Sequence, residues 1–227
     1  MYSSQLPIVI SCSFDGNYFS GPIPTFGSSR LRELYLGHNS LTGSIPASIG
    51  ELIKLEILTA NGNGLSSSIP SSISQAAQLN ILDLSNNKLT GKIPREFTEL
   101  VMLHELRLDH NRLHGFPYWL GSLTHIQIVH LNNNLLDGKL DLPLDFGSLN
   151  DLTEFAIQNN DLTGVVGEFM CDLLLNVLTS DCWGSPPRVD CVSLRMHCIL
   201  IFCFFFNPSI LYIVCAFLAL LHGMLLD

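Results

Sequence analysis

Apolar and polar residues follow one another along this chain in a repeating cycle. From Leu31 it reads LRELYLGHNSLTGSIPASIGELIK, and the pattern restarts at Leu55, Leu79, Leu103, Ile126 and Leu152, at spacings of 24, 24, 24, 23 and 26 residues. A degenerate earlier copy starts at Val9, with Cys12 and Phe14 in the apolar slots. The LxxLxL half predicts a short strand whose spaced apolar residues point to one side. Each strand runs into an asparagine: Asn17, Asn39, Asn63, Asn87, Asn111, Asn134 and Asn160. Asparagine carries two donors and an acceptor on a short side chain, so these seven are expected to bind backbone groups freed where the strands turn. Glycines then recur at Gly21, Gly43, Gly91, Gly115, Gly138 and Gly164, where the chain must turn. The pairs Ile23-Pro24, Ile45-Pro46, Ile69-Pro70 and Ile93-Pro94 predict an extended or tight-turn return path. No single copy can bury its own apolar face, so stability must come from stacked neighbours. The expected fold is a right-handed α/β solenoid, a horseshoe with a parallel sheet on its concave side and an irregular or 3-10 convex side.

The xLTGxIPxxLGxL half resembles the plant-type leucine-rich repeat, the subclass of receptor-kinase ectodomains, receptor-like proteins and polygalacturonase-inhibiting proteins. Similar sets occur in algae and diatoms. The resemblance covers residues 9–170. It implies a receptor-like module that recognises a protein or peptide on its concave face, with no cofactor and no chemistry of its own. The alternatives it leaves open are an inhibitor of a secreted enzyme and an ectodomain fragment of a receptor kinase.

The outward strand positions are where a ligand would be read. One column runs Ser11, Glu33, Ile57, Ile81, Glu105, Ile128 and Glu154, and its neighbour Ser13, Tyr35, Thr59, Asp83, Arg107, His130 and Ala156. Tyrosine and arginine are frequent interface anchors, which makes Tyr35 and Arg107 the first candidates. Glu105, Asp109, His110 and His130 join them, because the pattern places them with Arg107 on two adjacent strands. His104, His110, His114, His125 and His130 are close in sequence. They occupy different phases of the repeat, however, so most are expected to point apart rather than converge on a metal ion.

Composition narrows the reading further. Eleven basic against twenty acidic residues give a formal charge of -9, which argues against a nucleic-acid backbone as partner. There is no GxxxxGK[ST], GxSxG, HExxH or CxxC. Asp145-Phe146-Gly147 spells a kinase tripeptide, but the repeat accounts for it and no HRD loop accompanies it. An enzyme is not expected.

The ends depart from the repeat. Residues 1–8 read as an incomplete N-terminal flank, too short for a signal peptide and without a basic segment, as if the chain were truncated there. In residues 171–191, Cys171, Cys182 and Cys191 resemble the cysteine-containing C-terminal flank of extracellular relatives, which implies a disulfide cap and an oxidising compartment. Residues 192–227 form an apolar tail with no charged residue from Met196 to Leu226. As a helix, residues 198–221 would be about 36 Å long against about 30 Å of hydrocarbon. The tail thus reads as a single membrane-spanning helix, or else as translated intron beyond Val192-Ser193. Charge bias across it favours cytosolic repeats, whereas the family resemblance and the cysteines favour extracellular ones. The expected location is the membrane with repeats outside, the alternative a secreted protein.

Overall fold

The computed structural model describes residues 9–26, 30–140 and 149–163, with the backbone alone of 164–166, 177–179 and 189–191. Each repeat forms one coil, and every coil contributes a strand to a single parallel sheet. The main sheet comprises β1 (Ser11–Ser13), β3 (Glu33–Tyr35), β5 (Ile57–Thr59), β7 (Ile81–Asp83), β9 (Glu105–Arg107), β11 (Ile128–His130), β13 (Glu154–Ala156) and β15 (Val177–Thr179), side by side in that order. A second run of parallel strands follows the asparagines: β2 (Ser20–Gly21), β4 (Ser40–Gly43), β6 (Gly64–Ser68), β8 (Lys88–Gly91) and β10 (Arg112–Leu113). A third group joins β12 (Asp137–Lys139), β14 (Asp161–Val166) and β16 (Val189–Cys191). The sequence reading missed these strands, because their residues alternate only weakly between apolar and polar.

Register explains the core. Leu34 lies against Leu58, Leu58 against Leu82, Leu82 against Leu106, Leu106 against Val129 and Val129 against Phe155. All six are at most 2% exposed. The leucines that open the coils and those after the strands form flanking columns, so each apolar slot of the repeat becomes one continuous buried stripe. At about 1.5–3 kcal/mol for each large apolar side chain buried, these stripes supply most of the driving force.

On the opposite wall the return path is a 3-10 turn, at Ala47–Glu51, Ser71–Gln75, Arg95–Glu99 and Tyr118–Ser122. Each is preceded by a proline: Pro46, Pro70, Pro94 and Pro117. Proline has no N–H to satisfy and a preset φ, which suits the first position of a tight helical turn. Ile49, Ile73, Phe97 and Leu120 project from these turns into the core, each at most 1% exposed.

The asparagines tie coil to coil. Asn87 shares its Nδ2 hydrogens among the carbonyls of Leu84 and Ser85 in its own coil and Ala60 in the one before, while its Oδ1 accepts the amide of Leu65. Asn39, Asn63, Asn111, Asn134 and Asn160 repeat the arrangement, each Oδ1 accepting an amide of the preceding coil. Among the described residues Asn17 bonds only carbonyls of its own coil, Phe14 and Asp15. Asn87, Asn111, Asn134 and Asn160 are buried. Buried amides need partners, and here a side chain substitutes for the next stretch of sheet.

The residue before each asparagine is left-handed in every coil: Gly16, His38, Gly62, Asn86, His110, Asn133 and Asn159 have φ of 50–67°. Asparagine and glycine tolerate this region best. A second left-handed position falls at Gly21, Gly43, Gly91, Gly115 and Gly138, but in the coil between Gly43 and Gly91 the slot holds Ser67, at φ 68°. A side chain there costs about 1–2 kcal/mol, partly offset by the smaller chain entropy that serine loses on folding. Ser67→Gly is therefore expected to stabilise the protein by roughly 0.5–1 kcal/mol, read as a higher midpoint in urea. A lower midpoint would show that the Ser67 side chain repays its strain.

The first coil differs. Val9, Ile10, Phe14 and Phe19 are 37–51% exposed, and Cys12 packs on the core only in part. Residues 1–8, residues 141–148, Cys171, Cys182 and residues 192–227 lie outside the described residues, and with them the expected N-terminal flank, disulfide cap and apolar helix. Cys191 is placed by its backbone at the end of β16. Among the described residues no helix is long and apolar enough to cross a membrane.

Candidate functional site

The outward residues of the main sheet stand in register across the coils, so the two columns read from the repeat are rows of true neighbours. Glu33, Ile57, Ile81, Glu105, Ile128 and Glu154 pair strand to strand, as do Tyr35, Thr59, Asp83, Arg107, His130 and Ala156. All are partly exposed except Ala156, which is buried.

Three of the candidates, Glu105, Arg107 and His130, meet in one chain of contacts that Glu154 completes. Arg107 Nε donates to Glu105 Oε2 at 3.2 Å, Arg107 Nη1 lies 3.4 Å from His130 Nδ1, and His130 Nε2 lies 3.1 Å from Glu154 Oε2. A guanidinium can only donate, so in this arrangement Nδ1 is the acceptor and the ring carries its proton on Nε2, which donates to Glu154. Protonating Nδ1 would set one donor against another and open the contact with Arg107. Glu154 was not singled out among the sequence candidates; the signal was its place in the same column, one repeat beyond His130. The side chains are 21–32% exposed, so the pairs fix geometry more than they stabilise the fold.

The remaining candidates lie apart. Tyr35 is three strands from Arg107, about 14 Å away at the usual strand spacing. Asp109 and His110 are not on β9, which ends at Arg107. Asn111 takes the carbonyls of Leu108 and Asp109, so the chain turns and His110 becomes left-handed, with its Nδ1 2.9 Å from Asp109 Oδ2. Asp83 holds its own turn, accepting from the Ser85 amide and hydroxyl. Of the five histidines close in sequence, His104 and His125 stack, with ring centroids 6.3 Å apart, and His125 also approaches Asp151. Their positions beside the strand start fall on neighbouring coils. Among the described residues no three His, Cys, Asp or Glu side chains form a group able to hold a metal ion.

The Tyr35 phenol is held above its ordinary value of 10, first by burial and second by the charge of Glu33. The folded chain therefore keeps this proton longer than the unfolded one. The stability involved is present below about pH 10 and is lost as pH rises through the folded value. Glu33→Gln is expected to lower the phenol midpoint in an ultraviolet titration; an unmoved midpoint would exclude the carboxylate as a cause.

Comparison with known proteins agrees with the repeat fold. The family model described as Leucine rich repeat matches residues 66–113, and a second, Leucine Rich Repeat, matches residues 30–52 and 54–76. Receptor-like protein 36 of Arabidopsis thaliana is 46% identical over 55 residues, which is 23% of this chain and 8% of that protein. The chain thus matches only a small part of that relative's length. The ectodomain of the receptor kinase SOBIR1 from Arabidopsis thaliana is 36% identical, with 55% of this chain and 67% of that chain covered at a TM-score of 0.51. The Arabidopsis HAESA ectodomain, solved with an N-terminally extended IDA peptide hormone ligand, is 30% identical, with 74% of this chain and 30% of that chain covered at a TM-score of 0.68. Repeat spacing, interlocked asparagines, parallel sheets and these likenesses make the chain a member of the plant-type leucine-rich repeat proteins.

Proposed function

We infer that this chain is the recognition module of a receptor-like protein and that it holds a peptide or protein ligand on the concave face of its main sheet. The observation that carries this is the unbroken outward surface of partly exposed side chains running across β3 to β13, with Tyr35 towards one end and the Glu105–Arg107–His130–Glu154 chain towards the other. Such a surface suits a long, extended partner better than a small molecule, which needs an enclosed cavity. The relatives support the reading: HAESA is solved with the peptide IDA, and PEPR1 with AtPEP1. By the same likeness the repeats face the outside of the cell, and the molecule acts by binding rather than by catalysis.

The test is selection of peptides on the full chain from a displayed random library. Binding of the selected peptides is then compared for Tyr35→Ala, Glu105→Ala and the convex-side control Glu99→Ala. Loss confined to the first two variants is expected. Equal retention in all three, or loss in Glu99→Ala alone, would remove the concave face from the mechanism.

A further inference from the structure

The charges on this face specify a partner chemistry. In the column Glu33, Ile57, Ile81, Glu105, Ile128, Glu154 the positions adjoin strand by strand. Carboxylates therefore recur with two isoleucines between the first pair and one between the second. At about 4.8 Å per strand, Glu33 and Glu105 are about 14 Å apart, and Glu105 and Glu154 about 10 Å. The isoleucines between them are partly exposed, a set of apolar steps between charged ones. Asp83 and Asp109 add carboxylates beside and beyond this column, and Asp15 another on the first coil beside Gly37. Against these six, the only Lys or Arg among the described residues of the two columns and of the positions two residues beyond the second, Asp15, Gly37, Asn61, Ser85, Asp109, Asn132 and Gln158, is Arg107. With six acids and one base, the net charge is -5 if the histidines are neutral. Arg107 is, moreover, engaged by Glu105 and by His130, while Glu105 and Glu154 make these contacts through one oxygen each, and a carboxylate can accept from several donors at once.

We propose that the main sheet takes an extended peptide lying across its strands, with basic side chains over the glutamates and apolar ones over the isoleucines. This rests on the peptide-binding reading above and adds the chemical class of the ligand. An extended chain advances about 3.3 Å per residue and turns successive side chains to opposite faces, so only even offsets keep side chains on the sheet. Four residues, about 13 Å, fit the pair about 14 Å apart, and the same step meets the pair about 10 Å apart within the reach of a lysine side chain. The fitting pattern is thus a basic residue at i, i+4 and i+8, with apolar residues at i+2 and i+6. Clustered like charges raise the local concentration of an oppositely charged partner and speed its arrival, an effect that added salt suppresses. The half-covered isoleucines gain by losing water under an apolar side chain. Lysine or arginine beside Glu105 also meets repulsion from Arg107, which gives a sign that can be tested.

The probe is a labelled synthetic peptide of about twelve residues, with lysine at i, i+4 and i+8 and valine between, compared with its counterpart carrying glutamate at those positions. Fluorescence anisotropy is read on the full chain. The lysine peptide is expected to bind at least about tenfold tighter at low salt and to weaken as salt rises. Glu105→Gln and Glu154→Gln should each cost roughly two- to fivefold, while Arg107→Ala should tighten binding. Circular dichroism confirms that the variants fold, and Glu51→Gln on the convex side serves as control. Equal or tighter binding of the glutamate peptide, or loss of lysine-peptide binding in Arg107→Ala, would overturn the charge inference and leave the peptide reading standing. Absence of binding by both probes and by every member of a random peptide library would overturn both.

Discussion

Asn111→Ala is expected to destabilise the protein by about 3 kcal/mol, because the buried amide of Leu89 loses its acceptor and three carbonyls each lose a bond. Net hydrogen bonds are individually modest, but a buried donor left without a partner costs the full desolvation of that group. For a chain of this length the loss corresponds to a fall of roughly 6–12 °C in Tm. The matching change at the exposed first coil, Asn17→Ala, removes only local bonds and should stay within about 0.5 kcal/mol. The contrast between the two variants is the real test. Thermal unfolding that shifts equally in both would mean that the interlocking bonds between coils contribute nothing beyond a local turn.

The second large effect is expected at Phe97. It is fully buried, projects inward from the turn Arg95–Glu99, and meets the ring of Trp119 edge-on, with centroids 6.2 Å apart. Its counterparts in the adjoining turns are Ile73 and Leu120. Phe97→Ala should cost about 3–5 kcal/mol, the transfer of a phenyl group plus the cavity it leaves. Phe97→Leu, which restores the side chain found at Leu120, should recover more than half of that. Urea unfolding midpoints separate these outcomes. If the leucine variant is as unstable as the alanine one, the site has no room to relax around an aliphatic side chain, and the column is less interchangeable than the repeat suggests.

These two residues also show what could be read from the chain alone. Asn111 was legible because its role depends only on position within a cycle: seven asparagines in one phase must meet seven equivalent turns. Phe97 was not singled out, although it stands three residues after Pro94 as Ile49 does after Pro46 and Ile73 after Pro70. The Phe97–Trp119 contact was not legible, since it depends on which side chains happen to lie one coil apart. The contact chain from Glu105 to Glu154 failed to emerge on the same ground. Arg107 lies opposite His130 and two residues from Glu105 on its own strand, but Glu154 meets His130 diagonally across the next strand, and only the register of the sheet brings the four together. His110 was misplaced because a cycle of apolar slots does not mark where a strand stops; the stop is set by Asn111 taking the carbonyls behind it. Ser67 escaped notice because backbone handedness leaves no trace in hydropathy.

The asparagine bonds have a direction. In each coil from the second onward, Oδ1 reaches back to an amide of the coil before it. A coil is therefore finished only when its successor has been made. On the ribosome, where the chain emerges from its N-terminus, the newest coil always carries a backbone amide waiting for an asparagine about 22 residues downstream, as Leu65 waits for Asn87. Assembly is thus vectorial, each turn of synthesis sealing the previous one.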